Sequence, residues 1–155
     1  MYILFDRGNY FKPAVRVFFT MTRYQKGSSA ERELIGILYS KGYSVVRAAG
    51  SGKSSLPSPD LVALSQNKKF AFECKAWDSD YLSISIGQME EQLGWCERAG
   101  IDFVVAWKMP RQGFVFLTLN DFAKTEKNYV VSKESALKKG STLEILLGFQ
   151  ARLKV

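Results

Sequence analysis

A carboxylate that opens one strand and a carboxylate–lysine pair that closes the next are the residues of this chain best suited to chemistry. Asp60 follows Ser58-Pro59 at the head of the apolar run Leu61-Val62-Ala63-Leu64, and Glu73 and Lys75 stand two apart in Phe70-Ala71-Phe72-Glu73-Cys74-Lys75. The second stretch alternates bulky with small or charged residues, the period-2 pattern of a strand, so Glu73 and Lys75 project from one face. Between the runs lies Ser65-Gln66-Asn67-Lys68-Lys69, polar and turn-like, so the strands read as an antiparallel hairpin. Such a hairpin brings the start of the first strand level with the end of the second. Asp60, Glu73 and Lys75 then meet at one spot, two hard oxygen donors for Mg²⁺ with a cation beside them. Phosphodiester cleavage is the chemistry that needs this set. Alone, the spacing is a weak signal, because Glu-x-Lys on a half-exposed strand is commonly a solvated ion pair.

The elements around this hairpin strengthen the signal. Ser28-Ser29-Ala30-Glu31 matches a capping box and predicts a helix beginning there. Leu34, Ile35 and Leu38 follow Glu31 at i+3, i+4 and i+7, so Glu31 shares the apolar face and points toward the sheet, while Arg32 and Glu33 fall nearer solvent. A capping role for Glu31 is the plainer alternative. Gly42 ends this helix, and Tyr43 to Arg47 predict the first core strand.

Ala48 to Pro59 is a Ser/Gly/Lys loop suited to folding over a nucleic-acid backbone. Its Gly52-Lys53-Ser54 is not a phosphate-binding loop of the Gly-x-x-x-x-Gly-Lys-Ser type, because Arg47 stands where the first glycine belongs. After Trp77-Asp78-Ser79-Asp80 a helix is predicted from Ser85 to Ala99, stopped by Gly100. Ile86, Met89, Leu93 and Cys96 form its core stripe. Gln88, Gln92, Trp95 and Ala99 form a second face, less polar than a solvent face should be. Phe103–Lys108 and Phe114–Leu119 predict a second hairpin, and Thr142 to Gln150 a final amphipathic helix. The order of helix, three strands, helix, two strands and short helix predicts an α/β chain around a mixed sheet flanked by helices.

Composition narrows the chemistry. The 155 residues suit one domain, with a formal charge of +7. Residues 1–75 hold 12 Lys/Arg against 5 Asp/Glu, whereas residues 76–155 hold 10 of each, so the excess positive charge surrounds the carboxylate site. A basic surface around an acidic pocket suits a polyanion with a metal between them. The absence of histidine excludes His-based triads, His-ligated zinc sites and His-metal nucleases. Cys74 and Cys96 lack metal-ligand spacing and read as reduced core residues of an intracellular protein. No run approaches the ~20 apolar residues of a membrane span. Residues 1–20 are aromatic-rich but too interrupted by charge for a secretory signal. They read as an upstream extension, an extra pairing strand or a mistaken start, with Met21 as the other beginning.

With these residues assembled, the sequence resembles the archaeal-type Holliday junction resolvases, nucleases built on the restriction-endonuclease fold. The stretches that carry the resemblance are Tyr24-Gln-Lys-Gly-Ser-Ser-Ala-Glu-Arg-Glu-Leu-Ile, Gly42-Tyr-Ser-Val-Val-Arg-Ala-Ala-Gly-Ser, Pro59-Asp-Leu-Val-Ala, Phe72-Glu-Cys-Lys and Leu143-Glu-Ile-Leu-Leu-Gly-Phe-Gln. The resemblance implies that Glu31, Asp60 and Glu73 are catalytic metal ligands and Lys75 the catalytic lysine. It also implies DNA contacts at Lys26, Arg32, Arg47, Ser51, Lys53, Ser54 and Lys108. The loop between Gly50 and Asp60 looks longer than the family's. Residues 1–22 are set apart as an N-terminal extension and 23–155 as a single nuclease domain.

The expected activity is Mg²⁺-dependent cleavage of four-way DNA junctions in recombination and repair, with Mn²⁺ as a substitute metal and other recombination proteins as further partners. Its rivals are a nuclease of the same fold with another DNA target and a catalytically silent DNA-binding module. A junction has near two-fold symmetry and needs matched cuts, so a homodimer is expected, with Trp95 as interface anchor. The charge asymmetry yields a first test, the affinity for a synthetic four-way junction measured across salt concentrations. Affinity should fall steeply with salt, and Arg32→Ala and Arg47→Ala should each lower the log–log slope by roughly one. A salt-insensitive affinity contradicts backbone recognition.

Overall fold

The computed structural model describes residues 23–48 and 56–149, the first five by backbone alone. Ser51, Lys53 and Ser54 lie outside the described residues, as do 1–22 and 150–155. A five-stranded sheet has the order β1-β2-β3-β5-β6, from β1 (Ser44–Arg47), β2 (Leu61–Leu64), β3 (Lys69–Ala76), β5 (Asp102–Met109) and β6 (Gly113–Leu117). Among the described residues only β3 and β5 pair in parallel, and the crossover that a parallel pair requires is supplied by β4 (Tyr81–Ser85) and α2 (Ile86–Ala99). The sheet is thus mixed, as its sequence predicts.

Alternation along the strands divides the core. Phe70, Phe72, Cys74, Val104 and Ala106 pack with Leu34 and Leu38 of α1 (Arg23–Ser40) and with Leu143 and Leu147 of α4 (Leu143–Leu147). Val105, Trp107 and Met109 point the other way, toward Met89 of α2 and Ala136 of α3 (Lys133–Lys139). Because β3 alternates in step with β5, Glu73 and Lys75 emerge on the α2 side. The helix expected to open at Ser28 is already formed at Arg23, so Ser28 lies inside it, and its hydroxyl accepts from Arg32 at 2.9 Å. Tyr24, Gln25 and Lys26 carry no helix breaker that would delay the start.

A second sheet, β4-β8-β7, was not expected; it adds β8 (Asn128–Ser132) and β7 (Ala123–Lys124). Tyr81-Leu-Ser-Ile-Ser alternates buried with exposed residues, but its partner β8 is far along the chain, where a local pattern cannot point. Helix α3 was likewise unforeseen, and the final helix spans only Leu143–Leu147 before Gly148 turns left-handed. The helix caps of α2 stand where its sequence puts them. The Ser85 hydroxyl accepts from the Gln88 backbone N–H, and Gly100 adopts φ 64°.

Two glycines test this packing in opposite directions. A Cβ on Gly140 would press on Val115 Cγ1 and lie 2.5 Å from the Ala136 carbonyl oxygen, whereas one on Gly36, on an exposed turn of α1, meets nothing within 4 Å. Gly140→Ala should cost about 1–3 kcal/mol by overpacking. Gly36→Ala should stabilise by roughly 0.5–1 kcal/mol through helix propensity. Urea unfolding followed by tryptophan fluorescence measures both, and equal midpoints for the two variants would contradict this packing.

Candidate active site

The register of the β2–β3 hairpin builds the site. Leu61 pairs with Phe72, so Asp60 arrives beside Glu73, and its Oδ2 accepts the Cys74 backbone N–H at 2.8 Å. The Asp60 backbone is pinned as well, since its carbonyl accepts from the Ala48 N–H at 2.9 Å and Pro59 is fully buried. Glu73 is only 6% exposed. Its Oε1 accepts from Lys75 Nζ at 2.6 Å and from Gln88 Nε2 at 2.8 Å. Lys75 Nζ also lies 5.8 Å from the centroid of the Trp77 ring, within cation–π range. Trp77 is itself tied down, because its carbonyl accepts from the indole N–H of fully buried Trp107 at 3.2 Å.

Burial and crowded negative charge both act on the Asp60 carboxyl. Burial first, then the charge on Glu73 and more weakly that on Glu31, raise its carboxyl to about 6, against the Cys74 N–H and Lys75. Removing Lys75 alone would strand the buried Glu73 carboxylate, a change that costs about 3–5 kcal/mol in buried ion pairs.

Glu31 reaches the same region from α1 but is turned to the end of β1, where its Oε2 accepts from Arg47 Nε at 2.6 Å. Among the described residues no group of three acidic or sulfur ligands converges closely enough to hold a metal ion. The donors nonetheless fit a hard cation. Asp60 and Glu73 each have one oxygen engaged by protein donors, and among the described residues Oδ1 and Oε2 accept no hydrogen bond. Two half-committed carboxylates in a site already short of positive charge suit a divalent ion bound through oxygen.

Several of the expected DNA-contacting cations belong to α1 or pair with it. Arg32 is exposed on α1, and Lys108, near the end of β5, is ion-paired with Glu33 of α1 and sits 5.6 Å from the Phe114 ring centroid. Lys26 falls in the first turns of α1. A groove of ≈ 310 Å³ beside Trp77 is lined by Ser29, Lys108, Pro110 and Arg111. Both cysteines are free and buried, and burial lifts the Cys96 thiol to about 11.

Sequence patterning misplaced one pair. Gln88 and Gln92 were expected on an outer face of α2 with Trp95. Instead Met89, Gln92 and Cys96, at i, i+3 and i+7, are the buried positions, and Gln88 leans on Glu73. The helix is rotated from the Ile86–Leu93 stripe toward its glutamines, because the surface it covers contains the Glu73 carboxylate. An amide pair at i and i+4 in the first helix after the Glu-x-Lys strand was the available signal. Trp95 is half-buried.

Likeness to known proteins agrees with this architecture. A bacterial homing endonuclease superposes over 84% of this chain and 94% of its own with a TM-score of 0.52 at 15% identity, a likeness of fold alone. The solved structure of Archaeoglobus fulgidus Hjc, a Holliday junction resolvase, superposes over 79% of this chain and 96% of its own with a TM-score of 0.72 at 28% identity. The molecule is a nuclease of the restriction-endonuclease-like fold. In sequence, the crossover junction endodeoxyribonuclease Hjc of the same archaeon is 33% identical over 108 residues, covering 70% of this chain and 79% of its own. The model of the archaeal Holliday junction resolvase (hjc) family matches residues 22–155. The chain belongs to the archaeal Holliday junction resolvase family, and the expected fold and enzyme class are borne out.

Proposed function

We propose that the chain cuts four-way DNA junctions by Mg²⁺-dependent hydrolysis centred on Asp60, Glu73 and Lys75, with Glu31 as a further ligand. The observation that carries this reading is the pair of half-committed carboxylates beside a buried lysine. Asp60 Oδ1 and Glu73 Oε2 would hold the ion, which supplies a bound water of lowered pKa and neutralises charge on the scissile phosphate. Lys75, held by Glu73 and Trp77, presents an ammonium to the charge that develops at phosphorus. Water attack in line with the 3′-oxygen leaves a 5′-phosphate and a 3′-hydroxyl. Arg32, Arg47, Lys108, Lys26 and the loop carrying Ser51, Lys53 and Ser54 grip the DNA backbone, so selection rests on junction shape. Arg47 binding to phosphate would release Glu31 toward the metal. Residues 23–155 form the nuclease domain, consistent with a family match that begins at residue 22. The enzyme works inside the cell, and no helix among the described residues is long and apolar enough to cross a membrane.

Asp60→Asn and Glu73→Gln should each abolish Mg²⁺-dependent junction cutting, with Mn²⁺ also inactive, while junction affinity stays equal or tightens because negative charge near phosphate is removed. Gel assays of cutting and binding on the same junction measure both, with linear duplex as the comparison substrate. Wild-type cutting rates in either variant would remove these carboxylates from the chemistry.

The enzyme acts as a C₂ homodimer in which each subunit cuts one of two opposed strands, and Trp95 on α2 anchors the interface. Half-burial of this large side chain within one subunit leaves surface for a partner to cover. Trp95→Asp should give a folded monomer that makes uncoupled single nicks. Analytical ultracentrifugation decides the assembly. A wild-type monomer at micromolar concentration, or a variant still dimeric, would take Trp95 out of the interface.

A further inference from the structure

Helix α2 touches the two arms of the β2–β3 hairpin through the same kind of side chain, one turn apart. Gln88 Nε2 donates to Glu73 Oε1 at 2.8 Å, and Gln92 Nε2 donates to the Ser58 carbonyl oxygen at 3.0 Å. Ser58 lies two residues before Asp60, separated from it by buried Pro59. One glutamine thus holds the carboxylate of one proposed ligand, and the other holds the backbone that delivers the second. The i, i+4 spacing puts both amides on one face of α2. Ser85 and Gly100 cap that helix at its two ends, so the pair stands on a rigid element.

Gln92 is 6% exposed, and its Oε1 is buried without a hydrogen-bond partner among the described residues. Turning the amide over would set Oε1 against the Ser58 oxygen, acceptor against acceptor, so the orientation is fixed by the bond it makes. A buried position that tolerates an orphaned oxygen is poorly explained by packing, since an apolar side chain of equal length would fill it without that defect. The donor to Ser58 is what the position supplies. Gln88 acts similarly at Glu73. By sharing Oε1 with Lys75 it fixes the rotation of the carboxylate and leaves Oε2 uncommitted.

We propose that Gln88 and Gln92 are positioning residues that hold Glu73 and Asp60 in the spacing a divalent cation requires. The proposal rests on the metal-site reading above and extends it to residues that bind neither the cation nor the DNA. Groups of this kind, which orient metal ligands without touching the metal, typically change metal affinity or activity about 10–100-fold when removed.

Mn²⁺ binding to the DNA-free full chain, followed by electron paramagnetic resonance, tests it. Thermal unfolding and metal-free junction affinity in EDTA serve as companion measurements. Gln88→Met and Gln92→Met keep side-chain length and remove the donors. Each should raise the Mn²⁺ Kd by roughly tenfold or more. Metal-free junction affinity should be unchanged in both, because neither amide is given a DNA contact, and any fall in melting temperature should be too small to account for the loss of Mn²⁺ affinity. A purely structural role predicts the reverse, a lower melting temperature with an unaltered Mn²⁺ Kd, and that result overturns the proposal. Asp60→Asn separates the two levels of the argument. If it abolishes Mn²⁺ binding while both glutamine variants bind as wild type does, the positioning role alone falls. If wild type binds no Mn²⁺, or Asp60→Asn binds it equally well, the metal site falls and the positioning role with it.

Discussion

A carboxylate buried in the middle of a sheet is the constraint on which this structure depends. Glu73 sits on β3, flanked by β2 and β5, where little water reaches it. An isolated charge so placed would carry a desolvation penalty of several kcal/mol, and ammonium and amide donors must offset it. Lys75 and Gln88 provide them, one from the same strand and one from the helix packed over it. That requirement explains why α2 turns an amide edge inward at a cost in apolar contact. The parallel partner β5 brings Trp107 opposite Lys75, and the Trp107 indole fastens the Trp77 segment beside it.

The polar centre and the two cores are therefore one arrangement. Alternation sends Phe72 and Cys74 toward α1 and Glu73 and Lys75 toward α2, so a single strand serves both layers. A shift of register by one residue would bury Lys75 among the leucines of α1 and turn Phe72 into the polar centre under α2. The aromatic series Tyr43, Phe70, Phe72 and Phe116, with ring centroids 5.9–6.2 Å apart, locks the register from the α1 side. Asp60 depends on that lock, since its bond to the Cys74 N–H exists only in this pairing.

What could be read from the sequence follows the range of the interactions involved. The hairpin that carries Asp60 and Glu73 is local, with turn, alternation and charge within a short stretch, and it stands as read. The caps of α2 are local too. The sheet β4-β8-β7 depends on a distant pairing, and α1 begins before its best capping signal because nothing upstream forbids it. Gln88 and Gln92 were misassigned for a different reason. Helical patterning assumes that the covered surface is apolar, and here it holds a carboxylate and a backbone carbonyl. Arg47 and Lys108 read in sequence only as DNA contacts, and the fold gives each an acidic partner on α1.

Cys74 lies between the two charged side chains of the Glu73–Lys75 pair yet faces away from both. Its sulfur is buried on the α1 side, and desolvation together with the negative charge of Asp60 pushes its ionisation far above the usual thiol range. A thiol that stays protonated is a poor nucleophile and resists peroxide and disulfide exchange. Burial and the raised ionisation both work against thiolate chemistry at this sulfur, which the centre carries at its midpoint. Opening of β3 would bring that sulfur to solvent, so its chemical lifetime is tied to how often the fold opens.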